Sequence, residues 1–316
     1  MVDDKQDSRT VVYAALVANV LIAIGKFIAA AISGSAAMWS EGIHSLVDSV
    51  NEILLLYGIH RSGAKPNRTH PLGYGREVYF WSFLVAVLVL AFGAGLSLYE
   101  GVSRMFSLNP IEKPVLSFLV LIVSVCFEGA SWVVAVRHFR ATKGNHGYFE
   151  ALRRSKDPSV FTVLIEDSVA LIGIAIALLG LTLSVLLRSP VYDAAASIGI
   201  GLLLTASAMF LARETKSLLI GEAAHLHVRE SILSIAAKDP GIRKINGLIT
   251  VQMGPDQVIA AMSAEFEDAL TTPQIEACIK RIEERIRQAR EEVTTLFVKP
   301  QSPETFEARL DEVMHD

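Results

Sequence analysis

A chain of 316 residues that is 52% hydrophobic and 20% charged is more apolar than an average soluble protein. Its charge is uneven: residues 1–213 hold 17 Lys and Arg against 15 Asp and Glu, while residues 214–316 hold 12 against 18, a division that predicts a membrane domain followed by an acidic soluble one. The acidic back half, with no basic cluster interleaved with aromatics, argues against nucleic acid as a partner, and two distant cysteines, Cys126 and Cys278, exclude a disulfide framework or a Cys-rich zinc module.

In chain order, six stretches reach the roughly 20 apolar residues that a bilayer crossing needs: 11–32, 36–59, 79–99, 114–136, 160–187 and 191–212. The first follows Asp3, Asp4 and Asp7. That lead is unlike the basic start of a cleavable signal, so the stretch is expected to be a retained helix. With no transit segment ahead of it, the expected host is a bacterial plasma membrane. The connection 60–78 carries Arg61, Lys65, Arg68 and Arg76, and the connection 137–159 carries Arg137, Arg140, Lys143, Arg153, Arg154 and Lys156. The loops of the opposite side offer Arg104, Lys113 and Arg188. The positive-inside rule then puts both termini on the cytoplasmic side, or on an organelle's equivalent.

Beyond Glu214 the pattern changes. A helical segment over 226–237 meets the breakers Asp239-Pro240-Gly241. Two β-like stretches follow, 243–253 and 257–267, joined by a turn at Gly254-Pro255-Asp256. A charged helix over 272–290 places Ile275, Ile279, Ile282 and Ile286 on one face, and a strand over 293–298 ends near Pro300. The order αββαβ predicts a small α+β domain over 214–300 with helices on one face of a three-stranded sheet, followed by a polar tail over 301–316. The domain contains no catalytic triad or phosphate loop. Its plainest reading is a dimerisation module.

Ionisable groups inside spans are costly and are functional candidates by default. Span two contains Glu41, His44, Asp48, Asn51 and Glu52. At about 100° per residue these five share roughly a third of the helix circumference. His44 and Asp48 stand four apart, one turn from each other, and an imidazole with a carboxylate forms half a tetrahedral site for a divalent metal such as zinc. Span five supplies Glu166 and Asp167, adjacent and so about 100° apart, of which one is expected to face the same centre as His44. Span four adds Glu128 and span one adds Lys26, for which a structural role is the first reading: snorkelling, or pairing with an acid. Several carboxylates with one lysine near them would protonate in hydrocarbon unless a cation joined them. The small residues Ala194–Ala196, Gly199 and Gly201 of span six predict close helix packing.

The stretch Ser40-Glu41-Gly42-Ile43-His44-Ser45-Leu46-Val47-Asp48 resembles the second-span signature of the cation diffusion facilitator family. So do His70-Pro71-Leu72-Gly73-Tyr74-Gly75, Leu164-Ile165-Glu166-Asp167 with Gly173, Pro190-Val191-Tyr192-Asp193 and Leu219-Ile220-Gly221-Glu222, each at the family's corresponding place. Asp157-Pro158-Ser159 and the Glu-Asp pair are most similar to the branch that includes the mammalian mitochondrial zinc exporter. The resemblance implies a membrane all-α domain of six helices, a ferredoxin-like cytoplasmic domain, a homodimer, and export of zinc or a similar divalent ion in exchange for protons. It assigns the transport site to His44, Asp48 and Asp167. The fourth ligand position holds Val163 instead of His or Asp. Glu166, Glu41, Asn51, Glu128 or water are the candidates to complete the set, and a set richer in oxygen shifts preference toward manganese, iron or cobalt. Family members often bind regulatory metal in the cytoplasmic domain. Here only His225 and His227 stand near its start, a weak candidate pair.

The mechanism expected is alternating access. Metal and protons compete for the same ligands, and His44, which titrates nearest neutrality, is the coupling residue. No permanent cofactor is expected, and the metal is cargo. Two rivals stand beside this reading: a membrane acyltransferase using His44 and Asp48, for which no nucleophile is evident, and a membrane metal sensor.

Overall fold

The computed structural model describes residues 19–107, 110–142 and 147–308. Residues 11–18 of the first apolar stretch, Lys143 and residues 309–316 of the polar tail lie outside the described residues. The chain forms two compact units, one from 19–65 with 77–216, the other from 66–76 with 217–308.

The first unit is helical. Helix α1 is described over Asn19–Ser33, followed by α2 (Ala36–Ser62) and α3 (Glu77–Ser107), which contains a π-helical stretch at Val89–Ala94. Then come α4 (Pro114–Thr142), the short α5 (Tyr148–Arg154), α6 (Pro158–Leu186) and α7 (Val191–Ile220). Among the described residues, four helices are long and apolar enough to cross a membrane: α3, α4, α6 and α7. The 27-residue α2 is long enough, but Glu41, Asp48, Asn51 and Glu52 depress its mean hydropathy. Of the first stretch, only residues 19–32 are described, all within α1. Leu21 and Ile28 of α1, Leu119 and Ile122 of α4, and Leu202 and Met209 of α7 are exposed, as expected of helices whose solvent is lipid. The protein is an integral membrane protein.

Local sequence explains where these helices begin. The Ser35 hydroxyl accepts from Met38 N at the start of α2. Asp157 accepts from Ser159 N (2.9 Å) with Pro158 in the first turn of α6, the preferred order of cap and proline. A longer-range contact supplements the first cap. From the first turn of α7, Asp193 accepts the Ser35 hydroxyl (2.6 Å) and the backbone N–H groups of Ala36 (2.5 Å) and Ala37 (3.4 Å). A carboxylate at a helix N-terminus satisfies orphan donors and complements the dipole, so Asp193 fastens the start of α2 to α7.

The unit's core gathers Ala29, Met38, Val89, Leu121, Ile174, Leu181, Ile200 and Leu204. The small residues of α7 permit the close approach expected of them: a Cβ on Gly201 would lie 2.6 Å from Leu98, and one on Gly180 of α6 would lie 2.3 Å from the Ala196 side chain and 3.0 Å from the Tyr192 carbonyl. Backbone cannot yield as a flexible side chain can. Gly180→Leu should therefore separate α6 from α7 at a cost of at least about 1–3 kcal/mol, read as a lower detergent-unfolding midpoint of the purified chain.

The second unit runs α8 (Leu226–Ala237), β1 (Ile242–Gly254), β2 (Gln257–Phe266), α9 (Thr272–Ala289) and β3 (Val293–Pro300). Its sheet has the order β1-β2-β3, with β1 antiparallel and β3 parallel to β2; α9 is the crossover that a parallel pair requires. Val258, Ala260, Met262 and Ala264 of β2 share a core with Val228, Ile232 and Ala236 of α8 and Cys278, Ile282 and Ile286 of α9. Their even spacing along β2 puts them on one face. On the other, Ile249, Ala261 and Phe297 are register partners in a single row, and Ile249 and Phe297 are 70% and 58% exposed. Thr271 and Gln274 form a capping box at α9. Residues 303–308 of the polar tail are helical.

Asp239, fully buried in the turn between α8 and β1, receives Arg281 through two bonds of 2.8 and 2.7 Å, Gly241 N at 3.1 Å and the Cys278 thiol at 3.2 Å. Arg285 approaches to 3.5 Å. The Arg281 hydrogen bonds hold the Asp239 carboxyl far below the usual carboxylate range. Burial, then the Asp239 carboxylate, pushes the Cys278 thiol up to about 11, so it stays protonated and unreactive at neutral pH.

Candidate functional site

The polar stripe of α2 faces the interior of the helical unit. Glu41, His44, Ser45 and Asn51 are all buried, because the 3.6-residue period aligns them on the side that α1, α4 and α6 cover. His44 Nδ1 lies 3.3 Å from Asp48 Oδ1, and neither ring nitrogen has a hydrogen-bond partner. Asn51 Nδ2 donates to Glu166 Oε1 of α6 at 2.8 Å. Ser131 of α4 donates to Asp167 Oδ2 at 2.8 Å. Near the other end of the stripe, Asn19 of α1 donates to Glu52 Oε2 at 3.2 Å.

These contacts surround a cavity of about 690 Å³ walled by α1, α2, α4 and α6. Five carboxylates line it: Asp48 and Glu52 from α2, Glu128 from α4, and Glu166 and Asp167 from α6. Ser45, Ser131 and Val163 are also in the wall. Among the described residues, no lysine or arginine lines the cavity. A hollow whose described lining is acidic and carries no basic residue is suited chemically to a cation.

The predicted site residues separate into groups. Asp48, Asp167, Glu166 and Glu128 reach the one cavity. His44 is 2% exposed and lies behind Asp48, outside the lining. Glu41 is fully buried, outside the lining, and bonded to Lys26. Asn51 acts on Glu166. Of Glu166 and Asp167, one of which is expected to face the same centre as His44, both line the cavity, whose lining does not include His44. Their directions diverge as adjacent helical residues must, but the hollow extends between α2 and α4, so one carboxylate is met by Asn51 and its neighbour by Ser131. Val163, where the resemblance expects a ligand, lines the cavity with an alkyl group. Among the described residues, no three His, Cys, Asp or Glu side chains converge closely enough to hold a metal ion. The hydrogen bonds from Asn51 and Ser131 keep the α6 acids on separate partners.

Ser131 was not among the residues singled out from sequence, although it stands three after Glu128 on the same face of α4. Losing its hydroxyl would free Asp167 from its donor. If Asp167 takes a cation in this hollow, Ser131→Ala should weaken divalent-cation binding about 10–100-fold, the usual range for a group that orients a ligand, visible as a raised half-saturating metal concentration in equilibrium dialysis. In the second unit, the His225 and His227 rings stack at 5.3 Å with 23° between planes and line a cavity of about 650 Å³ with Asp256, Glu291 and Glu292.

The cation efflux transmembrane domain model matches residues 12–220. The chain is 32% identical over 264 residues to the "Proton-coupled zinc antiporter SLC30A9, mitochondrial" of Xenopus laevis, covering 83% of this chain and 47% of that protein. It is 31% identical over 252 residues to the "Metal tolerance protein C4" of Arabidopsis thaliana, covering 79% and 55%. It is 25% identical over 289 residues to the "Cation-efflux pump FieF" of Cronobacter sakazakii, covering 88% and 87%. The chain thus spans about half the length of the first two relatives. A domain model that extends from residue 12 to the end of α7, together with these relatives, establishes that the chain belongs to the cation efflux family.

Proposed function

We propose that this chain exports a divalent cation, zinc in the first instance, by alternating access in exchange for protons. The observation that carries the reading is the convergence of Asp48, Glu128, Glu166 and Asp167 from three helices on one cavity within the helical unit. Asp48 and Asp167 are the primary ligands and His44 joins them. Glu166 is the next candidate ligand and must exchange Asn51 for metal; Asn51 follows it, and Glu128 and Glu41, which already face Lys26, come last. Metal needs ionised carboxylates and neutral imidazole, so each ion bound displaces protons; His44, beside Asp48 and without a hydrogen-bond partner, is the coupling residue. The antiporter relatives are named for the same exchange.

In this reading the helices over 1–213 make six spans, α1 and α2 included, with both termini on the cytoplasmic side, as the Lys and Arg distribution supports. Residues 214–300 form a ferredoxin-like cytoplasmic domain, which the αββαβ order supports, with the tail over 301–316. The exposed row Ile249–Ala261–Phe297 supports a second copy of the chain as partner, since a sheet face of this kind is covered in stable assemblies. His225 and His227 are a secondary metal candidate in that domain. The alkyl side chain of Val163 in the cavity wall favours a second reading of the cargo, manganese or iron, because the remaining donors are mostly oxygen.

The test is metal flux into sealed proteoliposomes with an internal metal dye, with and without a proton gradient. Gradient-dependent zinc flux is the expected result. Preference for manganese or iron selects the second cargo, and no flux of any metal by a folded dimer overturns transport in favour of sensing. Turnover of an acyl donor would instead mark an enzyme.

A further inference from the structure

Helix α1 brings one charged side chain into the interior. Lys26 is completely buried. Its ammonium donates to Ser45 Oγ at 2.7 Å and to Glu41 Oε2 at 3.0 Å, and stands 3.9 Å from Glu128 Oε1. An ammonium has three donors and no acceptor, and the three oxygens come from two other helices. Removing a buried charge from its partners costs several kcal/mol, so this arrangement is strongly held. Lys26 and Glu41 are outside the cavity wall, while Ser45 and Glu128 are part of it. The ammonium therefore stands behind the part of the acidic wall that Ser45 and Glu128 form. Glu41 is further confined: its Oε1 is buried without a hydrogen-bond partner, and a Cβ on Gly173 would come within 2.6 Å of it.

Resting on the transport reading, we propose that Lys26 is the resident counter-cation of this cavity and determines how many divalent ions it admits. Held by Glu41 and Glu128, the ammonium satisfies two acids that would otherwise form half of a second cation site, and its charge opposes a second divalent ion beside the first. His44, Asp48, Glu166 and Asp167 remain for the cargo. A tethered ammonium cannot diffuse away, so the limit of one ion holds at any metal concentration.

The experiment is a count of zinc bound per chain by equilibrium dialysis of the full chain in detergent, taken as the difference between variant and wild type so that zinc held elsewhere cancels. Lys26→Met should bind one zinc more than wild type. Adding Glu41→Gln and Glu128→Gln should return the count to the wild-type value, and Lys26→Arg should leave it unchanged. A folded Lys26→Met chain that binds the same number as wild type overturns the proposal. If Lys26→Met does not fold, the triple variant decides: a folded triple variant identifies uncompensated charge as the defect and supports the assignment, whereas a triple variant that also fails makes Lys26 a packing residue and overturns it. A wild-type chain that binds no divalent ion would instead refute the transport reading itself.

Discussion

On the transport reading proposed above, alanine at Asp48 or at Asp167 should reduce gradient-driven zinc flux by about 100-fold or more, with the helix content unchanged. Groups that merely orient a ligand already account for about 10–100-fold in metal sites, and these two are proposed as ligands. The size follows from what replaces them. The cavity wall offers hydroxyls, neighbouring carboxylates and alkyl groups, and a carboxylate from a different helix cannot take the position of one lost from α2 or α6. Asp48→Ala also removes the carboxylate 3.3 Å from His44 Nδ1, so the imidazole loses that contact as well. Asp48→Glu and Asp167→Glu keep the charge and should recover a measurable part of the flux. Wild-type flux in Asp167→Ala would mean that the site is built on Glu166 and Glu128.

The second large effect lies in the sheet unit, where Asp239→Ala should destabilise the fold by about 2–3 kcal/mol. The variant loses a bidentate charge-assisted pair with Arg281, and it leaves the Gly241 N–H and the Cys278 thiol without an acceptor. Both arginines are about half exposed and can be hydrated, which keeps the cost below that of a fully buried broken pair. Urea titration of the detergent-solubilised chain by circular dichroism measures it, because membrane helices in detergent resist urea. The pH dependence has a defined sign. Arg281 depresses the folded-state carboxyl below its ordinary value of 3.8, so the stabilisation is fully present above about pH 4 and is lost as pH falls further. Asp239→Asn should lose less stability than wild type over that acid interval, and an identical acid slope in the two proteins would remove Asp239 from the account.

What was legible beforehand follows the range of the interactions. Hydropathy and period are local, so the polar stripe of α2, the isoleucine face of α9 and the αββαβ order could be read from neighbouring residues. The pair His44 and Asp48, four apart on one helix, is local in the same sense. The partners that complete the cavity are not. Asn51 meets Glu166, 115 positions away, and Ser131 meets Asp167, 36 away. Nothing in a lone serine distinguishes one that serves a carboxylate from one that bonds its own helix, as Ser124 does to Val120 O. Lys26 was read as structural because its depth in the helix was visible and its three oxygen neighbours were not. Glu166 and Asp167 show the limit of helical-wheel reasoning: the angle between neighbours is known, but whether one hollow is wide enough to receive both depends on where α2 and α4 stand.

The fastening of α2 by Asp193 has a mechanical consequence. A rod pinned at one end swings and does not slide, and its displacement grows with distance from the pivot. At 1.5 Å per residue, Glu41 is about 9 Å from the Ser35 pivot and Asp48 about 20 Å. A tilt of roughly ten degrees that carries Asp48 some 3 Å, enough to make or break a metal–oxygen bond, shifts Glu41 by only half as much. The helix would thus be geared: under such a tilt its Asp48 end moves about twice as far as Glu41, so the larger stroke falls on the acid proposed to carry cargo.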